Sequence, residues 1–218
     1  MSLRAAIFDL DNTLHDKAAT EWLLAVEQYE TFALDGLGVQ RIAWLDVFAE
    51  LHAQRISKPE VFDQLGRRFR LSIQASASLL EHFDSTLGSR AISLPGATEL
   101  IYACKFRGLK VGIITNGRDA FQRSKVAGLG LTNAIDAVFT SGGIGFKKPD
   151  LRIFEACLAA LAVEPSEAVY VGDDFAADME PALALGMVAV WKSTATSEQV
   201  AFSSNLLSEI QAFIQRAP

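Results

Sequence analysis

The sequence predicts an α/β protein: a doubly wound parallel sheet with an α-helical bundle inserted after its first strand. Three observations lead there. The apolar run Ala5-Ala6-Ile7-Phe8 meets two acids, Asp9 and Asp11, at its carboxyl end. From Leu94-Pro95-Gly96 onward, β-rich runs alternate with amphipathic helical stretches. Between residues 17 and 89 the apolar spacing is helical and no strand signal occurs. The sheet domain is therefore expected at 1–16 and 90–218, and the inserted helical domain at 17–89.

Taken in order, Arg4–Phe8 reads as a strand buried on both faces. In the insert, Trp22, Val26, Tyr29 and Ala33 mark the apolar side of a helix over Lys17–Leu34, which Gly36 and Gly38 end. Ile42, Leu45, Phe48 and Ala49 mark a second helix. Pro59 suits the first turn of a third, with Val61, Phe62, Leu65 and Phe69 inward. A fourth runs from about Gln74 to Leu87. In the second half, the strands are Lys110–Thr115, Ala137–Thr140, Ala168–Val171 and Met187–Trp191. Helices separate them, with Asp150 as an N-cap and Leu206–Ile214 closing the chain. Strand–helix alternation of this kind implies right-handed crossovers.

The totals narrow the function classes. In 218 residues, 50% are hydrophobic and 21% charged, a globular composition with ample core material. A net charge of -6 argues against nucleic acid as a partner, since phosphate backbones select basic surfaces. It leaves room for a small phosphorylated metabolite, which senses only the local field of a cleft. No apolar run approaches the ~20 residues that span a bilayer, so no membrane partner is expected. The first residues lack a signal-peptide pattern, which makes a cytoplasmic protein the expectation. Cys104 and Cys157 fall in apolar helical patterns and read as reduced core thiols.

Ligands of open parallel sheets bind beyond the strands' carboxyl ends, and those ends are informative here. The first carries Asp9 and Asp11, which point the same way and repel unless a cation or a proton relieves them. A strand ending in a polar Asp-Asn turn would look the same, so the pair alone decides nothing. The second strand ends in Thr115-Asn116-Gly117 and the fourth in Asp173-Asp174, with Asp178 one helical turn on. A loop adds Lys147-Lys148-Pro149-Asp150. Chance explains one such end far better than it explains all of them.

Asp9-Leu10-Asp11-Asn12-Thr13, Thr115-Asn116-Gly117, Lys148-Pro149-Asp150 and Gly172-Asp173-Asp174…Asp178, in this order, resemble the motifs of the haloacid dehalogenase superfamily. The likeness covers nearly the whole chain and is closest to phosphatases with a helical cap inserted in a Rossmann-like core. It implies a phosphoric monoester hydrolase in which Asp9 is the nucleophile and forms an aspartyl-phosphate. It implies Mg²⁺ held by the Asp9 carboxylate, the Asp11 backbone carbonyl and the Asp173 carboxylate, all hard oxygen donors. Asp11 would protonate the leaving oxygen and then take a proton from water, which requires the environments of Asp9 and Asp11 to push their pKa values apart. Thr115, with amides around Asn116 and Gly117, would hold the phosphoryl oxygens, and Lys148 would bind them and the nucleophile. Thr13, Asp174 and Asp178 support the site, Asp178 by orienting Lys148 or a metal-bound water. Lys147 reads as a solvated neighbour.

Other residues stay open at this point. His15 either faces the cleft or simply fills the exit from the sheet. His52 and His82 are isolated on insert helices, and Trp22, Trp44, Phe48 and Phe62 read as insert core. Arg41, Arg55 and Lys58 lie near turns of the insert, where the resemblance places substrate-selecting residues. Three alternatives compete with a phosphatase. A phosphomutase would use the same machinery. A 2-haloacid dehalogenase has no leaving oxygen to protonate, and Asp11 argues against it. A non-catalytic binding module would not need Asp9, Asp11, Thr115, Lys148 and Asp173 together.

Overall fold

The computed structural model describes residues 2–54 and 56–217. It divides the chain into two compact units, Met1–Asp16 with Ser93–Pro218, and Lys17–Ile92. The second junction falls at Ile92, beyond the expected 89. A 3₁₀ turn, Leu87–Arg90, follows the fourth helix of the insert, and the Ile92 N–H donates to Thr20 Oγ1 at 3.0 Å, which keeps it with the helical unit.

Among the described residues, the sheet unit has strands Ala5–Phe8 (β1), Lys110–Thr115 (β2), Ala137–Thr140 (β3), Ala168–Gly172 (β4), Val188–Trp191 (β5) and Phe202–Ser203 (β6). They form one parallel sheet in the order β3-β2-β1-β4-β5-β6. β6 was not expected from the sequence, because two residues carry no periodic signal. β1 is central and wholly buried: Phe8 stands opposite Ile113 on one side and Val171 on the other. From β1 the chain moves outward through β2 and β3, then returns to the other edge of β1 as β4. That reversal opens the crevice in which ligands of such sheets bind, and β1 and β4 flank it.

The helical unit contains Lys17–Thr31 (α1), Arg41–Ala53 (α2), Lys58–Phe69 (α3) and Ile73–Thr86 (α4). Ser57 and Ser72 cap α3 and α4 by accepting N–H bonds from Glu60 and Ala75. Its core is aromatic: Phe48, Phe62 and Phe83 pack with centroid spacings of 5.4–6.4 Å, and Trp44 lies beside Phe48. The inward face of α1 differs from expectation. Trp22 is 48% exposed, and Thr20, Glu21, Leu24, Ala25 and Gln28 face inward instead. Polarity misplaced that face because the inward polar groups are bonded: Gln28 Nε2 donates to the Leu79 carbonyl at 2.7 Å, and Lys58 Nζ lies 2.9 Å from Glu21. Ile42 is likewise exposed, and Trp44, Leu45, Val47 and Phe48 take the buried side of α2. Arg55 lies outside the described residues.

The sheet unit's helices are Ala97–Phe106 (α5), Asp119–Gly128 (α6), Ser141–Ile144 (α7), Leu151–Leu161 (α8), Glu180–Ala184 (α9) and Leu207–Arg216 (α10). Asp150 caps α8 through the Arg152 N–H at 3.0 Å. One sheet face, through Ala5, Ile7, Ile114 and Tyr170, packs on Ile153, Phe154 and Cys157 of α8. Cys104 and Cys157 are buried free thiols, and burial pushes both up to about 12. No helix is long and apolar enough to cross a membrane among the described residues.

Candidate active site

The site is built at the tip of β1. The Asp9 N–H donates to the Val171 carbonyl at 2.8 Å, which continues the β1–β4 ladder by one residue and fixes Asp9 at the crevice. The chain then turns tightly. The Leu10 carbonyl accepts from Leu14 and His15 at 3.0 and 2.9 Å, and Asn12 takes φ 61°, a left-handed conformation that asparagine tolerates. The turn brings buried Thr13 back over the strand end. Its hydroxyl lies 3.2 Å from Asp9 Oδ2 and 3.5 Å from Asp173 Oδ1.

Lys148 reaches the same point. Its Nζ lies 2.5 Å from Asp9 Oδ1 and 2.6 Å from Asp178 Oδ1, and the Tyr170 hydroxyl donates to Asp178 Oδ1 at 2.9 Å. Two local features make this possible. Asn116 grips the Lys148 backbone from both sides: its Oδ1 accepts the Lys148 N–H at 2.8 Å and its Nδ2 donates to the Lys148 carbonyl at 3.1 Å. Gly172 leaves room for Asp178, since a Cβ there would stand 2.4 Å from Asp178 Oδ2. Asp178 itself sits on a π-helical turn, Phe175–Met179, a local irregularity often found at functional sites. Asp174 caps that turn, with Oδ1 accepting from the Ala177 N–H at 3.1 Å.

Carboxylate oxygens of Asp9, Asp173 and Asp178 all lie within 4.8 Å of one another. Burial pushes the Asp9 carboxyl up, the Asp178 and Asp173 charges push it further, and Lys148 only partly opposes them. Asp173 moves up for the same reasons, burial first and then Asp178. Burial would pull Lys148 down, but Asp9 and Asp178 outweigh it and keep the ammonium charged. Lys148 bonds Asp9 and Asp178, and the carboxylates outnumber it, an excess that a divalent cation with oxygen preference would relieve. Both Asp178 oxygens accept hydrogen bonds, from Lys148, Tyr170 and the Asp174 N–H, and both Asp9 oxygens do so from Lys148 and Thr13.

Asp11 lies in different company. Lys125 Nζ is 2.8 Å from both its oxygens, His15 Nδ1 is 2.6 Å from Oδ1, and Gln122 Nε2 is 3.3 Å from Oδ2. Burial alone would raise its pKa, but Lys125 and His15 more than reverse this and hold the carboxyl far below the usual range. The two acids of the opening motif are therefore driven apart, but in the sense opposite to the expected one, Asp9 upward and Asp11 downward, because Asp9 faces two further acids and Asp11 faces Lys125 and His15.

The structure thus gathers Asp9, Thr13, Lys148, Asp173 and Asp178 around one point, with Asp11 and Thr115 on the Lys125–Gln122 side. Lys147 is exposed. One expected phosphate-binding group is otherwise engaged: the Gly117 N–H donates to Ser141 Oγ at 2.9 Å. Thr115 is buried, and its Oγ1 lies 2.5 Å from Gln122 Nε2. His15, left open by the sequence, is buried against Asp11. Gln122 and Lys125 were missed. Both lie on the inward face of α6 beside Val126, and polar residues at i and i+3 where apolar ones would pack were the available signal.

Comparison with known proteins agrees with this arrangement. A model of the haloacid dehalogenase-like hydrolase family matches residues 3–186. The chain is 31% identical to a glyceraldehyde 3-phosphate phosphatase of Pyrococcus furiosus over 87% of its length and 80% of that protein's. It is 26% identical to a glyceraldehyde 3-phosphate phosphatase of Methanocaldococcus jannaschii, over 95% of both chains. Among solved structures, a HAD phosphatase from Thermococcus onnurineus superposes with a TM-score of 0.68 at 25% identity, covering 97% of this chain and 98% of that one. The parallel sheet, the acids at its strand tips and these likenesses converge: the chain belongs to the haloacid dehalogenase-like hydrolases.

Proposed function

We propose that this hydrolase is a Mg²⁺-dependent phosphatase that cleaves a small phosphate monoester through a phosphorylated Asp9. The observation that carries the reading is the meeting of buried Asp9, Asp178 and Lys148 with half-buried Asp173, a set suited to a bound cation and an anionic phosphoryl group. The Asp9 and Asp173 carboxylates and the Asp11 backbone carbonyl would hold Mg²⁺. When bound, the ion supplies charge neutralisation and a template for the phosphoryl group. Asp9 attacks phosphorus in line and the ester P–O bond breaks; Asp11 gives a proton to the departing oxygen only after taking one up, since Lys125 and His15 hold it ionised in the resting site. In the second half, Asp11 takes a proton from water, the resulting hydroxide attacks phosphorus, and the bond to Asp9 breaks. Lys148, held by Asp178 and Tyr170, keeps a positive charge beside the nucleophile throughout. Thr115 donates its hydroxyl to a phosphoryl oxygen. The names of the relatives favour a small sugar phosphate, and glyceraldehyde 3-phosphate heads the compounds to try.

The test is phosphate release by the purified protein from a panel of phosphorylated metabolites and 4-nitrophenyl phosphate. Steady turnover with Mg²⁺, stopped by EDTA and restored by the metal, is expected. A phosphomutase would release little phosphate, and turnover in EDTA would refute the ligand set.

A further inference from the structure

Gln122 and Lys125 stand on consecutive turns of α6 and are buried, yet they belong to none of the four motifs. Their contacts are specific. Lys125 Nζ binds both Asp11 oxygens at 2.8 Å, so it fixes the carboxylate symmetrically. The Phe121 ring lies 5.0 Å from the same ammonium and restricts where it can go. Gln122 Nε2 lies 3.3 Å from Asp11 Oδ2 and 2.5 Å from Thr115 Oγ1. An ionised carboxylate only accepts, so the Gln122 NH₂ must face Asp11. Its second N–H then points to Thr115, whose oxygen accepts. The Thr115 hydrogen is thereby left to donate elsewhere, which is the orientation a phosphoryl oxygen needs. Gly117 makes room for this side chain: a Cβ at that position, φ 152°, would stand 2.8 Å from Gln122 Cγ.

The geometry points to Gln122 and Lys125 as positioning residues, Lys125 aiming the Asp11 carboxylate at the water of the second half-reaction and Gln122 orienting Thr115 as a phosphoryl donor. This rests on the phosphatase reading above. It predicts that the two residues act on different steps. Loss of Lys125 should slow breakdown of the phosphorylated Asp9 more than its formation. Loss of Gln122 should weaken phosphoryl binding.

The experiment uses the full chain with Mg²⁺ and 4-nitrophenyl phosphate, whose leaving group needs no proton. In Lys125→Met, steady turnover should fall about 10²-fold, within the usual range for a general base. A rapid burst approaching one nitrophenolate per chain should precede it, and acid-quenched protein should carry phosphate. Lys125→Arg should recover part of the turnover. In Gln122→Met, half-saturation for the ester and the inhibition constant of inorganic phosphate should both rise about tenfold, as loss of a hydrogen bond to a charged group predicts. Equal slowing of burst and turnover in Lys125→Met, or no slowing, overturns the role of Lys125. Should that variant not fold, unchanged half-saturation in Gln122→Met overturns the proposal by itself. If the unaltered protein releases no phosphate from any ester, the phosphatase reading falls and takes this one with it; an active protein with unaffected variants sinks this inference alone.

Discussion

Asp9 and Asp11 leave the same strand two residues apart, one buried and the other half-buried, and their surroundings are opposite in sign. Asp9 shares the Lys148 ammonium with Asp178 and lies close to the Asp173 carboxylate. Asp11 is met by Lys125, His15 and Gln122. Burial pushes both acids toward the neutral form; the count of nearby charges decides which of them yields. The Asp9 side is a site short of positive charge, prepared for a cation and costly without one. The Asp11 side is complete as it stands. The difference runs against the roles as the site stands: an ionised Asp9 needs a cation to draw its pKa down, and Asp11 fits the base of the second half-reaction before it fits the acid of the first.

The sharpest way to break this comparison is Asp9→Asn. Turnover should drop by about four orders of magnitude or more, as for loss of a covalent nucleophile. Melting temperature should hold or rise by the equivalent of about 1 kcal/mol, because one of three crowded acids loses its charge. Steady-state assays and a thermal melt in metal-free buffer check both halves; retained turnover would remove Asp9 from the role of nucleophile.

Lys148→Met probes the same cluster from the other side. It strands buried carboxylates, and breaking a buried pair typically costs about 3–5 kcal/mol. At roughly 2–4 °C per kcal/mol for a chain of this size, the melt should fall by about 10 °C in metal-free buffer. Mg²⁺ should recover part of that loss, and a melt indifferent to both changes would mean the cluster carries no excess charge.

The smallest effect separates the two acids by pH. Asp9 is raised above its ordinary 3.8, so the folded state holds the extra proton and stability should fall as pH rises above that value. Asp11 is depressed, so its contribution is complete above 3.8 and is lost as pH falls below it. In metal-free buffer, Asp9→Asn should flatten the decline at higher pH, and Asp11→Asn the decline in acid. Denaturation curves across pH measure both slopes, and identical profiles for the two variants would erase the contrast.

How much of this was legible in the chain differs by element. Ala5–Phe8 and Lys110–Thr115 announced themselves as largely apolar runs followed by polar residues, because a central strand must be apolar on both faces. Asp9, Thr115, Lys148 and Asp173 followed from their places at strand ends and on one loop. The inward face of α1 did not follow, since Gln28 and Glu21 satisfy their polar groups with partners distant in sequence. Gln122 and Lys125 escaped for the same reason: a buried polar side chain looks like a solvated one until its partner is known.

The sequence by itself determined the alternation of strands and helices, the insertion point after the first strand, and the set of acids, hydroxyls and lysine at the strand tips. Those are local properties, set by side-chain periodicity and turn chemistry. Only the tertiary structure decided which acids share Lys148, that Asn116 grips its backbone, and that Asp11 is claimed by Lys125 and His15. Two of these pairings, Lys148 with Asp9 and Lys125 with Asp11, join residues more than a hundred positions apart. Charge balance in a buried site is a sum over neighbours in space, and no stretch of chain contains that sum.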